Sequence, residues 1–429
     1  MSRLSRVAVA ALLAALCLHH LGKGFYYLAV QHPASGIEDF RHVRVWSDYF
    51  LDRVSPQSQN FLYWSRTDPA EAAWAVGADL ASSHGDVFTS GVPPWAFPLE
   101  LVAFIPGPER AARVYFAVLN LAALGLLVWI ADRVAWRGRG DPLARALTAL
   151  SILAIGANNA ALTQGQNGLL VNVGLAAALA AIDQPSSAGW AMAAGAGLAF
   201  AMIKPSSSLL FLLPLVGGRR WRALIVTAVI LIAATLFGSW WVHVPLATQF
   251  AQFERATLVV IGQGVNVPMR VILAIVQSPA IARNVMGLAG LAVAIAAAVR
   301  LAPRDPLTLF GVLAVIARLF TYHRAHDDVL LAFLMIALSR RAFAAGGSPR
   351  WQWLWAATGL SLWLPYSIYV APPAQVYQVI LWIAACGAIW RAAKVWCERG
   401  DSNPHGCEPP DPKSGASANS ATFAGRISE

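Results

Sequence analysis

The chain is only 13% charged over 429 residues, so the side chains able to do chemistry are few and each can be followed. Gln164, Gln166 and Asn167 cluster in NNAALTQGQNGLL, between the apolar runs Ala146 to Leu162 and Gly168 to Ala181. Lys204 stands directly before Pro205, again between apolar runs, and Tyr322, His323, Arg324, His326, Asp327 and Asp328 crowd into TYHRAHDD. Asp39 heads DFRHVRVWSDYFLDRV, in the polar region after the first apolar run. Amides at a hairpin tip in lipid need partners, because an unpaired one in hydrocarbon is costly. Lys204, His323 and Arg324 are cationic points that suit a lipid-linked phosphate, and Asp39 can serve as a general base toward a hydroxyl.

Each residue also has a plainer reading. The amides would make an ordinary polar turn, with Gly165 and Gly168 bending the chain and Asn167 capping the next helix. Lys204 would snorkel to the headgroups from a helix end. His323 and Arg324 would pair inside their own loop with Asp327 and Asp328. Asp39 would be favoured in a first helical turn by the helix dipole alone, and Glu38 and Asp48 compete with it as bases. His326, Asp327 and Asp328 show neither a helical ligand pattern nor a second acidic cluster, so no metal is expected. What separates the readings is whether these stretches share one side of a membrane and meet there.

A hydrophobic fraction of 57% and a mean hydropathy of +0.55 exclude a soluble globular protein of this length. Stretches such as Ala223 to Phe237 and Gly287 to Val299 hold no charge, which points to an all-α integral membrane fold. The net charge of +10 comes mainly from short basic loops between apolar runs, the bias of cytoplasmic loops and not a nucleic-acid stripe. Cys17 and Cys386 sit in apolar runs, and Cys397 and Cys407 near the C-terminus. That placement indicates neither an external disulfide nor a thiolate metal site. No Walker motif, phosphate-cradling glycine loop or nucleophile elbow occurs in a credible context, so neither a nucleotide-driven pump nor a cofactor is expected.

Assigning the basic loops to the cytoplasm gives about twelve transmembrane helices over residues 1–396, with both termini cytoplasmic. The first span, Arg6 to Val30, has no convincing cleavage site and is read as a span, not a signal peptide. Arg133 to Arg145, Arg219 to Arg222, Arg300 to Arg304 and Arg340 to Arg350 mark later cytoplasmic loops. A long external loop, Gln31 to Pro108, then follows the first span. Within it Phe40, Val43, Trp46, Phe50 and Val54 recur three and four residues apart, the stripe of an amphipathic helix lying on the membrane surface. Val92 to Leu99 carries three prolines and is expected as a fixed loop re-entering the membrane. Trp46, Tyr49, Tyr63, Trp64, Trp74 and Trp95 suit stacking on sugars or, the more common role, interfacial anchoring. Residues 397–429 turn to Pro, Gly, Ser and Asn and are expected to be a disordered cytoplasmic tail without a function of its own. On this alternation Asp39, Gln164 to Asn167, Lys204 and Tyr322 to Asp328 all fall on the external face.

In this order the motifs resemble those of glycosyltransferase family 87. The resemblance rests on Asp39-Phe40, Val92-Pro93-Pro94-Trp95, Gly165-Gln166-Asn167-Gly168, Lys204-Pro205 and Tyr322-His323 through Asp327, and it covers about Arg6 to Trp396. Val92, where an aromatic often precedes the prolines, and Asn167, directly after Gln166, depart from the family's pattern. The resemblance implies a C-type glycosyltransferase-like fold in a bacterial plasma membrane. It also implies inverting transfer of a sugar, mannose or a similar hexose or pentose, from a polyprenyl-phosphate donor to a glycolipid or glycan acceptor. Asp39 would be the general base, and Lys204, His323 and Arg324 would hold the donor phosphate. Gln164, Gln166, Asn167 and Tyr322 would order the site or contact the donor, with neither metal nor nucleotide required. The rival from another class is a transporter or lipid flippase with Lys204, Gln166 and His323 lining its path. A third reading, a catalytically silent scaffold, leaves Asp39, Lys204 and His323 apart in space.

Overall fold

A computed structural model describes residues 2–31, 38–53, 55–56, 92–103, 107–182, 184, 187–262, 267–302, 304–321, 323–344, 347–365, 368 and 372–398. Tyr322, Val54, Tyr63, Trp64, Trp74 and the tail from residue 399 lie outside these, as do the side chains of Glu38 and Tyr49.

Regular structure among the described residues is entirely helical, as expected where each apolar segment must satisfy its own backbone amides. In chain order the helices are α1 (Arg3–Phe25), α2 (Glu38–Leu51), α3 (Ala96–Glu100), α4 (Glu109–Trp136), α5 (Pro142–Leu153) and α6 (Gly156–Gln164). There follow α7 (Gly168–Ile182), α8 (Ala188–Ala201), α9 (Pro205–Ser208), α10 (Leu213–Gly217), α11 (Trp221–Val242) and α12 (Leu246–Gly262). The last six are α13 (Val267–Val276), α14 (Pro279–Leu301), α15 (Pro306–Phe320), α16 (Ala332–Phe343), α17 (Pro349–Trp363) and α18 (Pro372–Glu398). A π-helical turn, Tyr26–Val30, extends α1, and 3-10 turns at Leu209–Leu212 and Ala325–Leu331 join α9 to α10 and lead into α16.

Among the described residues five helices are long and apolar enough to cross a membrane: α1 with its π turn, α4, α11, α14 and α18. The pair α5 and α6 makes a sixth if it is one span, bent by 43°. The expected single arm Ala146 to Leu162 is therefore broken, and the Asn158 side chain explains how the break is tolerated. Its amide donates to the carbonyls of Ile152 and Leu153 at 2.9 and 3.1 Å, at the end of α5 where intrahelical donors run out.

The remaining apolar helices are shorter. Fifteen residues, the length of α7 and α15, reach about 22 Å against a hydrocarbon core about 30 Å thick. Both are buried nearly all round, so their apolarity serves protein packing and not lipid contact. Gly174 of α7 and Gly197 of α8 let those two helices touch. A Cβ on either would come within 2.5 and 2.6 Å of the other's carbonyl oxygen, the close approach that small residues permit in membrane helix pairs. Long α11, by contrast, exposes Trp221, Ile225, Val229, Ile232, Leu236 and Trp240 along one face while Ala223, Thr227, Ala234 and Gly238 face the protein. An exposed apolar stripe of that length is what lipid contact requires.

The amphipathic helix forms as expected, but its stripe meets protein and not a membrane surface. Phe40 packs beside Phe116, and Phe50 lies against Phe97, Phe237 and Trp241. Phe40, Val43 and Phe50 are all buried. The periodicity identified an apolar face without identifying what covers it.

Polar groups gather at the two ends of α15. At its start Asp305 caps the helix through Thr308 N at 3.1 Å and pairs with Arg340 and Arg341 at 2.5 and 3.3 Å. At its far end are Arg318 and the turn that carries His323 to Asp328.

Candidate active site

Four separate parts of the chain are pinned around the α6–α7 hairpin tip. Gly165 ends α6 at φ +69°, a left-handed conformation that glycine adopts without strain. A Cβ there would lie 2.3 Å from that of Phe40, so the tip sits directly on the first turn of α2, which carries Asp39. Trp95 donates its indole N–H to Met202 O at 2.8 Å, fixing the proline-rich segment before α3 to the bend that presents Lys204. The Ala325–Leu331 turn is tied to α7 by Asn172 Nδ2 donating to Val329 O at 2.7 Å. Thr321 donates to Ser206 O, also at 2.7 Å.

Asp327 is the hub. Lys204 Nζ bonds one of its carboxylate oxygens and comes within 3.5 Å of Gln166 Oε1. The other carboxylate oxygen accepts from the Arg324 backbone N–H at 3.0 Å and lies 3.3 Å from His323 Nδ1. His326 stands on the remaining side, its Nε2 3.7 Å from Asp327 and its Nδ1 donating to Gln164 Oε1 at 2.6 Å. The imidazole thus joins the hub to the hairpin tip. On the tip's other flank, Asn167 Nδ2 donates to Glu100 Oε1 at 2.6 Å. Asp328 is occupied separately by Arg318.

Burial and charge oppose each other here. Burial alone would raise the Asp327 carboxyl, but the Lys204 ammonium above all holds it well below the usual range, so it is ionised. Burial pushes His326 down to about 4 against the pull of Asp327, leaving a neutral imidazole; the charge of Asp39 also reaches it. Glu100 is driven the other way, up to about 8, by burial that Asn167 and Lys204 only partly offset. Lys204 and Asp327 therefore form a buried ion pair, and Glu100 is a buried neutral acid at pH 7.

Beside this network a cleft of about 250 Å³ opens, lined by Gln164, His326, Asp328, Arg270, Arg318 and Arg324 with Gln378 and Trp382 of α18 opposite. Among the described residues three guanidinium groups face it against one carboxylate, so it favours an anionic ligand. No group of three His, Cys, Asp or Glu side chains suited to a metal occurs among the described residues.

Of the residues singled out from sequence, Lys204, Gln164, Gln166, Asn167, His323 and Arg324 meet around Asp327 and Glu100, and Asp39 lies near enough for its charge to act on His326. Asn167 sends its side-chain amide to Glu100. His323 is fully buried behind Asp327, whereas Arg324 is exposed on the cleft. Of the two competing bases, Asp48 is exposed, and the side chain of Glu38 lies outside the described residues. Asp327 entered the sequence reading as a partner within its own loop and as the end of its motif, without a role at the site, and Glu100 was not singled out. Their signal was present all the same: each is an acid flanked by apolar helices, where a carboxylate needs a specific partner.

The family model described as Glycosyltransferase family 87 matches residues 92–339, more than half of the chain. No curated protein and no solved structure matches it. The matched region runs from the proline segment through the hairpin tip, Lys204 and the Asp327 turn, and the chain accordingly belongs to glycosyltransferase family 87, as a membrane glycosyltransferase.

Proposed function

We propose that the chain transfers a sugar, mannose or a similar hexose or pentose, from a polyprenyl-phosphate donor to a glycolipid or glycan acceptor, with inversion and with Asp39 as general base. The observation that carries this reading is the convergence of Asp39, the Lys204–Asp327 pair and the hairpin amides beside a cleft rich in arginine. The acceptor oxygen attacks the anomeric carbon while Asp39 takes its proton, and the bond from that carbon to the phosphate oxygen breaks. Polyprenyl phosphate leaves with the electron pair and gains one negative charge, which Arg324 and Lys204 offset. Gln166 holds the cation, Gln164 the imidazole, and Asn167 the Glu100 carboxyl. His323 acts through Asp327, because its ring is enclosed. Tyr322 belongs to the same stretch and is proposed at the donor.

In this reading the site faces outward in a bacterial plasma membrane, both termini are cytoplasmic, and the shorter helices complete about twelve membrane segments. A transporter would need polar groups along a path through the bilayer; the hairpin amides, Lys204 and His323 instead meet in one network, joined through Asp327 and His326. The test is sugar transfer from a panel of radiolabelled polyprenyl-phosphate sugars in membranes, comparing the chain with Asp39→Asn at equal expression. A loss of roughly 10²–10⁴-fold with donor binding retained is expected for removal of a general base. Full activity in the variant would remove Asp39 from the role. Absence of transfer from every donor, with substrate flux across vesicles, would favour the carrier.

A further inference from the structure

A second cavity, of about 390 Å³, lies where α7 ends and α8 and α11 begin. Lys204 follows the other end of α8, so this cavity is a helix length of about 20 Å from the candidate active site. Arg219, Arg220 and Arg222 line it together with Trp190, Trp221 and Leu215, and among the described residues its lining contains no carboxylate.

The site is built by the turn that starts α11. Arg219 occupies the left-handed region at φ +53°, and the backbone N–H groups of Arg219 and Arg220 close back on Val216 O and Leu215 O at 3.0 and 2.8 Å. Arg220 Nη2 donates to the carbonyls of Ile182 and Gln184 at 3.0 Å each, satisfying the end of α7 and fixing its own guanidinium. Arg219 and Arg222 are exposed. Trp221, at the cavity, is also the first residue of the exposed stripe that continues through Ile225 and Val229. Cationic groups at the head of a lipid-facing apolar stripe fit a phosphate that carries acyl chains, with tryptophans at the headgroup level.

We propose that this cavity binds the headgroup phosphate of an anionic phospholipid, whose chains lie along the exposed face of α11. The basic loops put it in the cytoplasmic leaflet, and it is separate from the transferase site.

The test uses the full chain in nanodiscs of phosphatidylcholine with increasing phosphatidylglycerol, reading thermal stability and the phosphatidylglycerol retained after extraction. Stability should rise with the anionic lipid. In R219Q/R222Q most of that rise should be lost and retention should fall about tenfold or more, while R219K/R222K keeps both. Arg137→Gln with Arg139→Gln, which removes equal charge from another basic loop, should leave both unchanged. A full rise in R219Q/R222Q, or an equal loss in the Arg137 and Arg139 control, overturns the site. If glycerol phosphate or inorganic phosphate reproduces the rise in pure phosphatidylcholine, the ligand is a soluble phosphate and the lipid assignment fails.

Discussion

Asn167 and Glu100 are joined by a 2.6 Å hydrogen bond from amide to carboxyl, and both are buried. The bond ties the hairpin tip to α3, and its acceptor carries a proton at neutral pH because burial raises the carboxyl to about 8. The unfolded chain releases that proton near 4.5, so between about 4.5 and about 8 the folded state binds more protons and stability falls as pH rises. The limiting slope is about 1.4 kcal/mol per pH unit. Glu100→Gln should abolish this decline in thermal melts while folding normally at pH 7. An unchanged decline would show that Glu100 is charged in the fold.

His326 should produce the opposite slope. Its folded value of about 4 lies below the ordinary 6.5, so on acidification from 6.5 the unfolded chain takes up the proton first and stability falls toward pH 4. Between about 4.5 and 6.5 this slope opposes that of Glu100, so His326→Gln should leave the Glu100 decline uncancelled over that range and remove the loss below it. Melting curves of both single variants and the double variant separate the two contributions, and the effects should add unless the residues couple through the tip.

The Lys204–Asp327 pair is buried, so removing one partner leaves a charge without compensation. Asp327→Asn or Lys204→Met should each cost about 3–5 kcal/mol, whereas a double apolar replacement should recover most of it. Chemical denaturation gives the stabilities. Recovered stability without recovered sugar transfer would mark the pair as part of the site's chemistry.

Gly165→Ala tests the seat of Asp39. The substitution combines a left-handed backbone with a Cβ 2.3 Å from that of Phe40, so α2 must move. A loss of about 1–3 kcal/mol is expected for the backbone strain alone, together with a fall in transfer activity larger than the fall in folded protein. Activity equal to the parent would mean that contact between the tip and α2 does not position the base.

Several features were legible before any fold was known. Apolar runs announced the helices, and prolines marked the starts of α5, α9, α14, α15 and α17. Gly165 marked the hairpin turn. The number of spans was not readable in the same way, since a run of apolar residues looks alike whether lipid or protein surrounds it. α15, buried nearly all round, and α11, with its lipid-type stripe, are both strongly apolar, and their neighbours differ. The stripe of α2 has the same ambiguity: its three- and four-residue spacing fixes a face, and only Phe97, Phe116 and Trp241 reveal the partner.

By itself the sequence determined that the chain is helical and membrane-embedded, and which few polar residues had to find partners, because hydrocarbon leaves a polar group no alternative. Tertiary structure decided the partners. It joined Lys204 to Asp327 across more than a hundred residues, enclosed His323, and brought Glu100 to Asn167. Such pairings depend on how helices pack, a property of surfaces distant in sequence that no local spacing encodes.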